Sequence, residues 1–260
     1  MSELNSMVVR KRGILIVLIF CITASFAEAQ LWKIRRWEAK GGLGTTQFFG
    51  DVGGYTIGKN FFGLKDITYL QTRYSVSGSL KYRITRTINA RVSLSFGKLH
   101  ATDSRGSNEG RDLESTSSIF EPSILGEYYF FKNKSENSYI FLTRENRNIS
   151  DILSSLDFYV FTGIGGCTFK VKGNEKLMNK PDFTNGGFTP VIPFGFGVNL
   201  IYSADFNFGI ELGGRYAFTD FLDGYTNVQY SKANDVYYLF NLTATYKLRT
   251  KGNGFQVFRK

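Results

Sequence analysis

A period-two alternation of apolar and polar residues runs from Trp37 almost to the end of the chain, and it limits the possible folds more than any other feature. Side chains on a strand point alternately to opposite faces, so each such run makes a ribbon with one apolar and one polar side. In Arg73 to Ile84, Tyr74, Val76, Gly78, Leu80, Tyr82 and Ile84 share one face, opposite Arg73, Ser75, Ser77, Ser79, Lys81 and Arg83. Thr85 to Thr87 turn the chain, and Ile88, Ala90, Val92, Leu94 and Phe96 then alternate with Asn89, Arg91, Ser93 and Ser95. Further runs are Trp37 to Phe48, Ile119 to Phe130, Phe158 to Phe169 (blurred by Gly163, Gly165 and Gly166), Phe188 to Tyr202, Phe208 to Phe218 and Tyr237 to Leu248. A composition of 28 Gly, 25 Phe and 15 Tyr against 4 Pro and 3 Met suits pleated strands and tight turns, not a helical bundle.

The runs are 9 to 15 residues long, most of them 11 or 12, close to the ~9–11 that cross a bilayer at a tilt of about 45°. Connections alternate as well: Thr85 to Thr87 and Ser203 to Asn207 are tight, whereas Phe49 to Thr68, Lys98 to Ser117, Lys170 to Gly187 and Thr219 to Asn234 are long. An even strand count with this asymmetry predicts an all-β fold, an eight-stranded antiparallel up-and-down transmembrane β-barrel with short periplasmic turns and long outer loops. One connection breaks the rule. Phe131 to Asp157 is periplasmic in this topology yet the longest of all, with a helical turn expected over Asp151 to Leu156.

Arg10, Lys11 and Arg12 precede an apolar run from Gly13 to Ala24, and Ala27-Glu28-Ala29 supplies an A-x-A site. That is the pattern of a secretory signal peptide, with cleavage expected after Ala29. The apolar run spans roughly 18 Å at 1.5 Å per residue, too short for a permanent membrane anchor. Cys21 as a lipoprotein cysteine is disfavoured by bulky Phe20 before it. With no composition break between strands, the organisation reads as 1–29 signal peptide, 30–248 barrel and 249–260 a short basic periplasmic tail. The chain carries a formal charge of +10, so its partners should be acidic.

Alternation alone does not say which face is outside, because a soluble lipocalin-like barrel holding a lipophilic ligand has the same pattern in the opposite sense. Strand length, aromatics at strand ends and the final Phe240, Leu242, Tyr246, Leu248 series favour apolar-out, in an outer membrane of a Gram-negative bacterium. Glu38, Lys40, Arg73, Lys81, Arg83, Arg91, Glu121, Glu127, Glu211, Arg215 and Lys247 then point into the lumen. Charges so confined must pair, and mixed signs allow an ion-pair network that closes the bore.

No catalytic, cofactor or metal site is expected. The chain has one histidine, and Cys167 would be left alone once Cys21 is removed. His100, read as opening the second long loop near Ser95, Asp103 and Ser104, is the one candidate for a lipid A-modifying enzyme, but no spacing fixes a nucleophile and base there. Gly41, Gly42 and Gly44 lack the helix and Lys-Ser/Thr of a phosphate loop. Lys170, Lys172, Lys176 and Lys180 read as a solvated loop or as a contact to anionic lipopolysaccharide. Export argues against nucleic acid as a partner.

Trp37-Glu38 leading through Gly42-Leu43-Gly44 to Phe48-Phe49-Gly50-Asp51-Val52-Gly53-Gly54, then Pro193-Phe194-Gly195-Phe196-Gly197, and Glu211-Leu212-Gly213-Gly214-Arg215-Tyr216 running into Phe218-Thr219-Asp220-Phe221-Leu222-Asp223 resemble a Bacteroidota outer-membrane β-barrel family. That family includes the PorG-type component of the type IX secretion system. The resemblance implies an outer-membrane barrel that associates with periplasmic ring proteins of the secretion machinery. The 131–157 segment, with four Lys or Arg against four Asp or Glu, and the basic 249–260 tail then read either as docking surfaces for that ring or as a solvated turn and frayed terminus. Phe49, Gly50, Asp51, Phe218, Thr219, Asp220 and Asp223 read as loop-locking residues at the outer strand ends.

Overall fold

The computed structural model describes residues 35–53, 68–104, 109–132, 153, 155–203, 205–226 and 234–248. The expected signal peptide, the basic tail and most of the 131–157 connection lie outside the described residues; of the helical turn expected over Asp151 to Leu156, Leu153 is helical and Leu156 already begins a strand.

The strands are β1 (Trp37–Phe49), β2 (Arg73–Arg83), β3 (Ile88–Thr102), β4 (Glu114–Phe131), β5 (Leu156–Gly173), β6 (Gly186–Ile201), β7 (Phe206–Ala217) and β8 (Val236–Lys247). They pair in sequence order, every pair antiparallel, and β1 closes on β8 to complete an eight-stranded barrel. Closure leaves no sheet edge, which a backbone in hydrocarbon requires. A short helix, α1 (Glu175–Met178), capped by the Asn174 side chain, sits in the loop after β5.

The apolar faces point out. Leu43, Val92, Leu94, Ile124, Ile164, Phe196, Ile210 and Leu242 are exposed, while Glu38, Lys81, Arg91, Glu121 and Glu127 are buried. A soluble barrel needs the reverse, so the lipocalin-like alternative fails and the chain is a transmembrane barrel. On β4 the outward apolar band runs from Phe120 to Phe130. At ~3.4 Å per residue and a tilt of about 40° it is roughly 25 Å tall, the height of a barrel's lipid-facing band.

Above that band the polarity of the same strands inverts. Lys98, His100 and Thr102 on β3, Ser118, Thr116 and Glu114 on β4, and Thr168, Lys170 and Lys172 on β5 carry the outward parity. The inward positions there are Leu99, Ala101, Ile119, Cys167, Phe169 and Val171, all buried. These strand ends leave the bilayer: water lies outside and a protein plug inside. The inversion corrects the expected ends of three strands, since β3 continues to Thr102, β4 starts at Glu114 and β5 continues to Gly173.

Candidate functional site

The lumen holds two tiers that close the bore. In the first tier, nearer the short turns, register sets the charges. Glu38 lies opposite Lys81 across β1 and β2, and Lys81 lies opposite Arg91 across β2 and β3. Two cations facing each other repel. Glu127 of β4 relieves this by meeting the Lys81 ammonium and the Arg91 guanidinium, each at 3.0 Å. Arg83 donates to Glu38 at 2.7 Å, and Lys81 stands 3.4 Å from the other Glu38 oxygen.

Glu211 of β7 is the hub. It accepts from Arg91 of β3 at 2.7 and 3.3 Å, from Lys40 of β1 at 2.5 Å and from the Tyr159 hydroxyl of β5 at 2.8 Å. Because β3 and β7 stand on opposite walls of an eight-strand ring, the Arg91–Glu211 pair bridges the bore, and so does the bond that Lys40 of β1 donates to the Tyr159 hydroxyl of β5 at 2.8 Å. Tyr129 adds a hydroxyl to Lys81 at 3.0 Å and stacks on Tyr159 with ring centroids 4.9 Å apart. Further along the bore Arg215 donates to Glu121 at 3.2 Å, and Tyr237 donates to the same carboxylate at 2.7 Å.

Lys247 is buried with luminal parity, opposite Glu38 in the β1–β8 register. Arg73 departs from the expectation. It shares the luminal parity but stands at the outer rim, where its guanidinium donates to the Leu70 and Thr72 carbonyls at 2.9 Å instead of joining the network. The tyrosines 129, 159 and 237 were not singled out in the sequence. Their signal is a phenol at luminal parity, where Leu125, Phe161 and Leu239 of the same strands are also buried.

The second tier is apolar and seals the outer mouth. Phe48, Leu99, Ile119, Phe169, Val191 and Leu239 from the walls pack with Val52, Leu113, Leu177, Leu222 and Tyr225 from the outer loops, and the free, buried Cys167 belongs to the same cluster.

Buried aspartates tie the lid. Asp223 accepts from the Val52 N–H at 2.9 Å and the Tyr225 N–H at 3.0 Å, so the loops carrying Phe49-Gly50-Asp51 and Phe218-Thr219-Asp220 meet each other. Gly224, at φ +81°, permits the tight turn between Asp223 and Tyr225. Asp235 accepts from the Leu222 N–H at 2.8 Å, its own N–H donates to the Thr219 carbonyl, and Asp220 accepts from the Thr226 hydroxyl at 2.6 Å. Gly50 is needed for close approach, since a Cβ there would stand 2.6 Å from an Asp235 oxygen and from the Phe48 ring. Asp103 accepts from the Gly53 N–H at 2.8 Å and pairs with Arg111, which also donates to the Asp51 carbonyl at 2.8 Å. Phe49 packs edge-on against Tyr238 with centroids 5.7 Å apart, and Phe218 against Tyr216 at 5.5 Å, where the band meets the headgroups.

Burial pushes the Asp223 carboxyl up to about 7, with Asp51 and Asp220 adding to the rise against the two N–H donors. Burial and the Asp223 charge push Asp235 up well above the ordinary range as well. A folded-state value above the unfolded one means that the lid binds protons more tightly than the open loops do. The lid's stability is therefore complete below about pH 4 and falls as pH rises through about 7. Hydrogen exchange of the Val52 and Leu222 amides, corrected for intrinsic rates, should be slower at pH 5.5 than at pH 8.5. Asp223→Asn should flatten that dependence while losing one acceptor, about 1 kcal/mol. Equal protection at the two pH values in the unsubstituted protein would contradict this coupling.

His100 lies on β3 itself, not in the loop as expected, because the strand runs beyond the bilayer. It is buried on the outward face, with Nδ1 3.0 Å from the Thr116 hydroxyl directly across the ladder and Nε2 3.7 Å from Glu114. A hydroxyl, an imidazole and a carboxylate thus come together, a grouping the spacing did not reveal. The Cα partners His100 and Thr116 sit within a continuous ladder whose N–H groups lie in the sheet, so that ladder does not aim a pair of amides at an oxyanion beside Thr116.

No protein-family model matches the chain, and no curated protein matches it in sequence. Among solved structures, the neisserial surface protein NspA aligns over 81% of this chain and 96% of its own at 11% identity, with a TM-score of 0.46. The outer membrane protein OprG from Pseudomonas aeruginosa aligns over 83% and 97% at 8% identity, TM-score 0.43. The outer membrane enzyme PagL aligns over 81% and 99% at 12% identity, TM-score 0.33. The barrel assignment stands on this chain's own strand order and exposure pattern.

Proposed function

We propose that the chain is a non-catalytic barrel of the outer membrane of a Gram-negative bacterium, exported by a signal peptide over 1–29, that scaffolds or anchors an envelope assembly of the type IX secretion kind. The observation that carries this reading is the bore: Arg91, Lys40 and Tyr159 converge on Glu211 from other strands, and an apolar plug fills the mouth above them. A barrel filled by its own side chains offers its surfaces, not a conduit. The loop motifs through which the chain resembles the PorG-type family support the assignment to secretion, with periplasmic ring proteins as the partners.

Affinity purification of the tagged protein from its native envelope after mild crosslinking tests this role. Ring subunits should be enriched over an unrelated outer-membrane barrel tagged in the same way, and their absence would leave no secretion role. The grouping of His100, Thr116 and Glu114 favours one second reading, a lipid A-modifying enzyme. An altered lipid A mass in a deletion strain, restored by the wild-type protein but not by His100→Ala, would replace the scaffold reading with that one.

A further inference from the structure

The polarity inversion at the outer rim is not only a boundary. Strand register lines up Phe96, Phe120, Thr168 and Phe188 side by side across β3 to β6, at the top of the apolar band. The next outward row is Lys98, Ser118 and Lys170, and the row above it is His100, Thr116 and Lys172. At the strand spacing of about 4.8 Å, Lys98 and Lys170 are roughly 10 Å apart with only a serine between them. Lys170 and Lys172 are exposed and Lys98 half-exposed, its ammonium 5.8 Å from the Tyr74 ring centre. Among the described residues, no carboxylate forms a salt bridge with any of the three. Neighbouring acids are already engaged: Asp112 holds Lys176 at 2.6 Å, and Glu114 faces His100.

We infer that this face of β3 to β5 binds the phosphorylated sugar headgroup of an anionic outer-leaflet lipid. Lys98, Lys170 and Lys172 meet the phosphates, Ser118 and Thr116 offer hydroxyls, and the Phe96, Phe120 and Phe188 row lies against the upper acyl chains. Charge complementarity and position select the lipid over a free anion. Lys98 and Lys170 stand one row, and Lys172 two rows, above an aromatic girdle, on the outward side of the barrel, where headgroup phosphates lie and where long basic side chains reach the interface. The inference rests on the membrane-spanning reading above and names a specific lipid contact for it. Each lysine near an anionic surface contributes roughly a fivefold factor, so the three together should contribute about a hundredfold.

The test uses the mature protein in nanodiscs of zwitterionic lipid, titrated with bisphosphoryl lipid A or its dephosphorylated form and read by native mass spectrometry. Bisphosphoryl lipid A should bind and the dephosphorylated form should not. The combined Lys98→Gln, Lys170→Gln and Lys172→Gln variant should bind about a hundredfold more weakly, while Lys176→Gln with Lys180→Gln behaves as wild type. A heat-dependent shift in gel mobility verifies that each variant is folded. Equal binding by the triple variant, or displacement of the lipid by millimolar inorganic phosphate, would overturn the site. Protein that does not enter the nanodisc would instead overturn the membrane reading beneath it.

Discussion

Replacing Arg91 with Met should lower the unfolding free energy of the barrel by about 3–5 kcal/mol, the cost of leaving buried charge without its partner. Arg91 is 2% exposed and joins two carboxylates, Glu127 at 3.0 Å and Glu211 at 2.7 Å. Its removal leaves Glu127 to Lys81 and Glu211 to Lys40 and Tyr159, so that each of two buried carboxylates loses one of its charge partners. Adding Glu127→Gln to Arg91→Met should give back part of the loss, so that the double variant falls short of the sum of the singles by about 1–3 kcal/mol. Urea unfolding from lipid vesicles, followed by the fluorescence of Trp37 beside Tyr82, measures both quantities. A loss under about 1 kcal/mol for Arg91→Met would mean that the pairs are hydrated and weak, and the bore is then not sealed.

Ile124→Arg should cost about 2–4 kcal/mol in the same assay, and Tyr128→Arg only about 0–1. Ile124 is 60% exposed, so packing does not explain such a penalty. It sits mid-band, opposite Val92 and Ile164, which are 56% and 70% exposed. An arginine there must be held in hydrocarbon, whereas at Tyr128 it reaches the interface. On the surface of a water-soluble protein the same exposed substitution is usually within ±0.5 kcal/mol. Depth dependence at constant exposure is therefore the signature of lipid contact, and equal small effects at the two positions would remove it.

The barrel itself was legible in the sequence because one rule, the two-residue period, governs each strand within the bilayer. Ile88 to Phe96 and Phe120 to Phe130 read correctly for that reason. The rule fails in the sequence where its sense changes. Leu99, Ala101, Phe169 and Val171 look like breaks in a polar face until the plug they bury against is known, so the alternation makes β3 and β5 too short and puts His100 in a loop. Gly163 and Gly166 blurred β5 through contacts that no local pattern reveals: a Cβ at Gly163 would stand 2.0 Å from the Ile124 carbonyl, and the Phe188 ring lies 2.7 Å from where one would stand at Gly166. The luminal charges could be named from parity, but not their partners, because parity says which side a residue faces and not which residue stands across the bore. Arg73 shows the same limit along the other axis, since parity carries no height. Asp223 and Asp235 illustrate a third. Nothing in Phe218 to Asp223 indicates that its last aspartate caps a main-chain N–H in the loop after β1.

Single nitroxide labels carried one at a time along β4, from Thr116 to Tyr128 in lipid bilayers, report directly on which face meets lipid, through collision with oxygen against a water-soluble nickel complex. Labels at Phe120, Ile124 and Tyr128 should collide with oxygen, labels at Glu121, Ser123 and Glu127 with neither reagent, and labels at Ser118 and Thr116 should switch abruptly to nickel. Nickel access at Phe120 and Ile124 equal to that at Ser118 would contradict a lipid-facing apolar band, and with it the membrane reading of the whole chain.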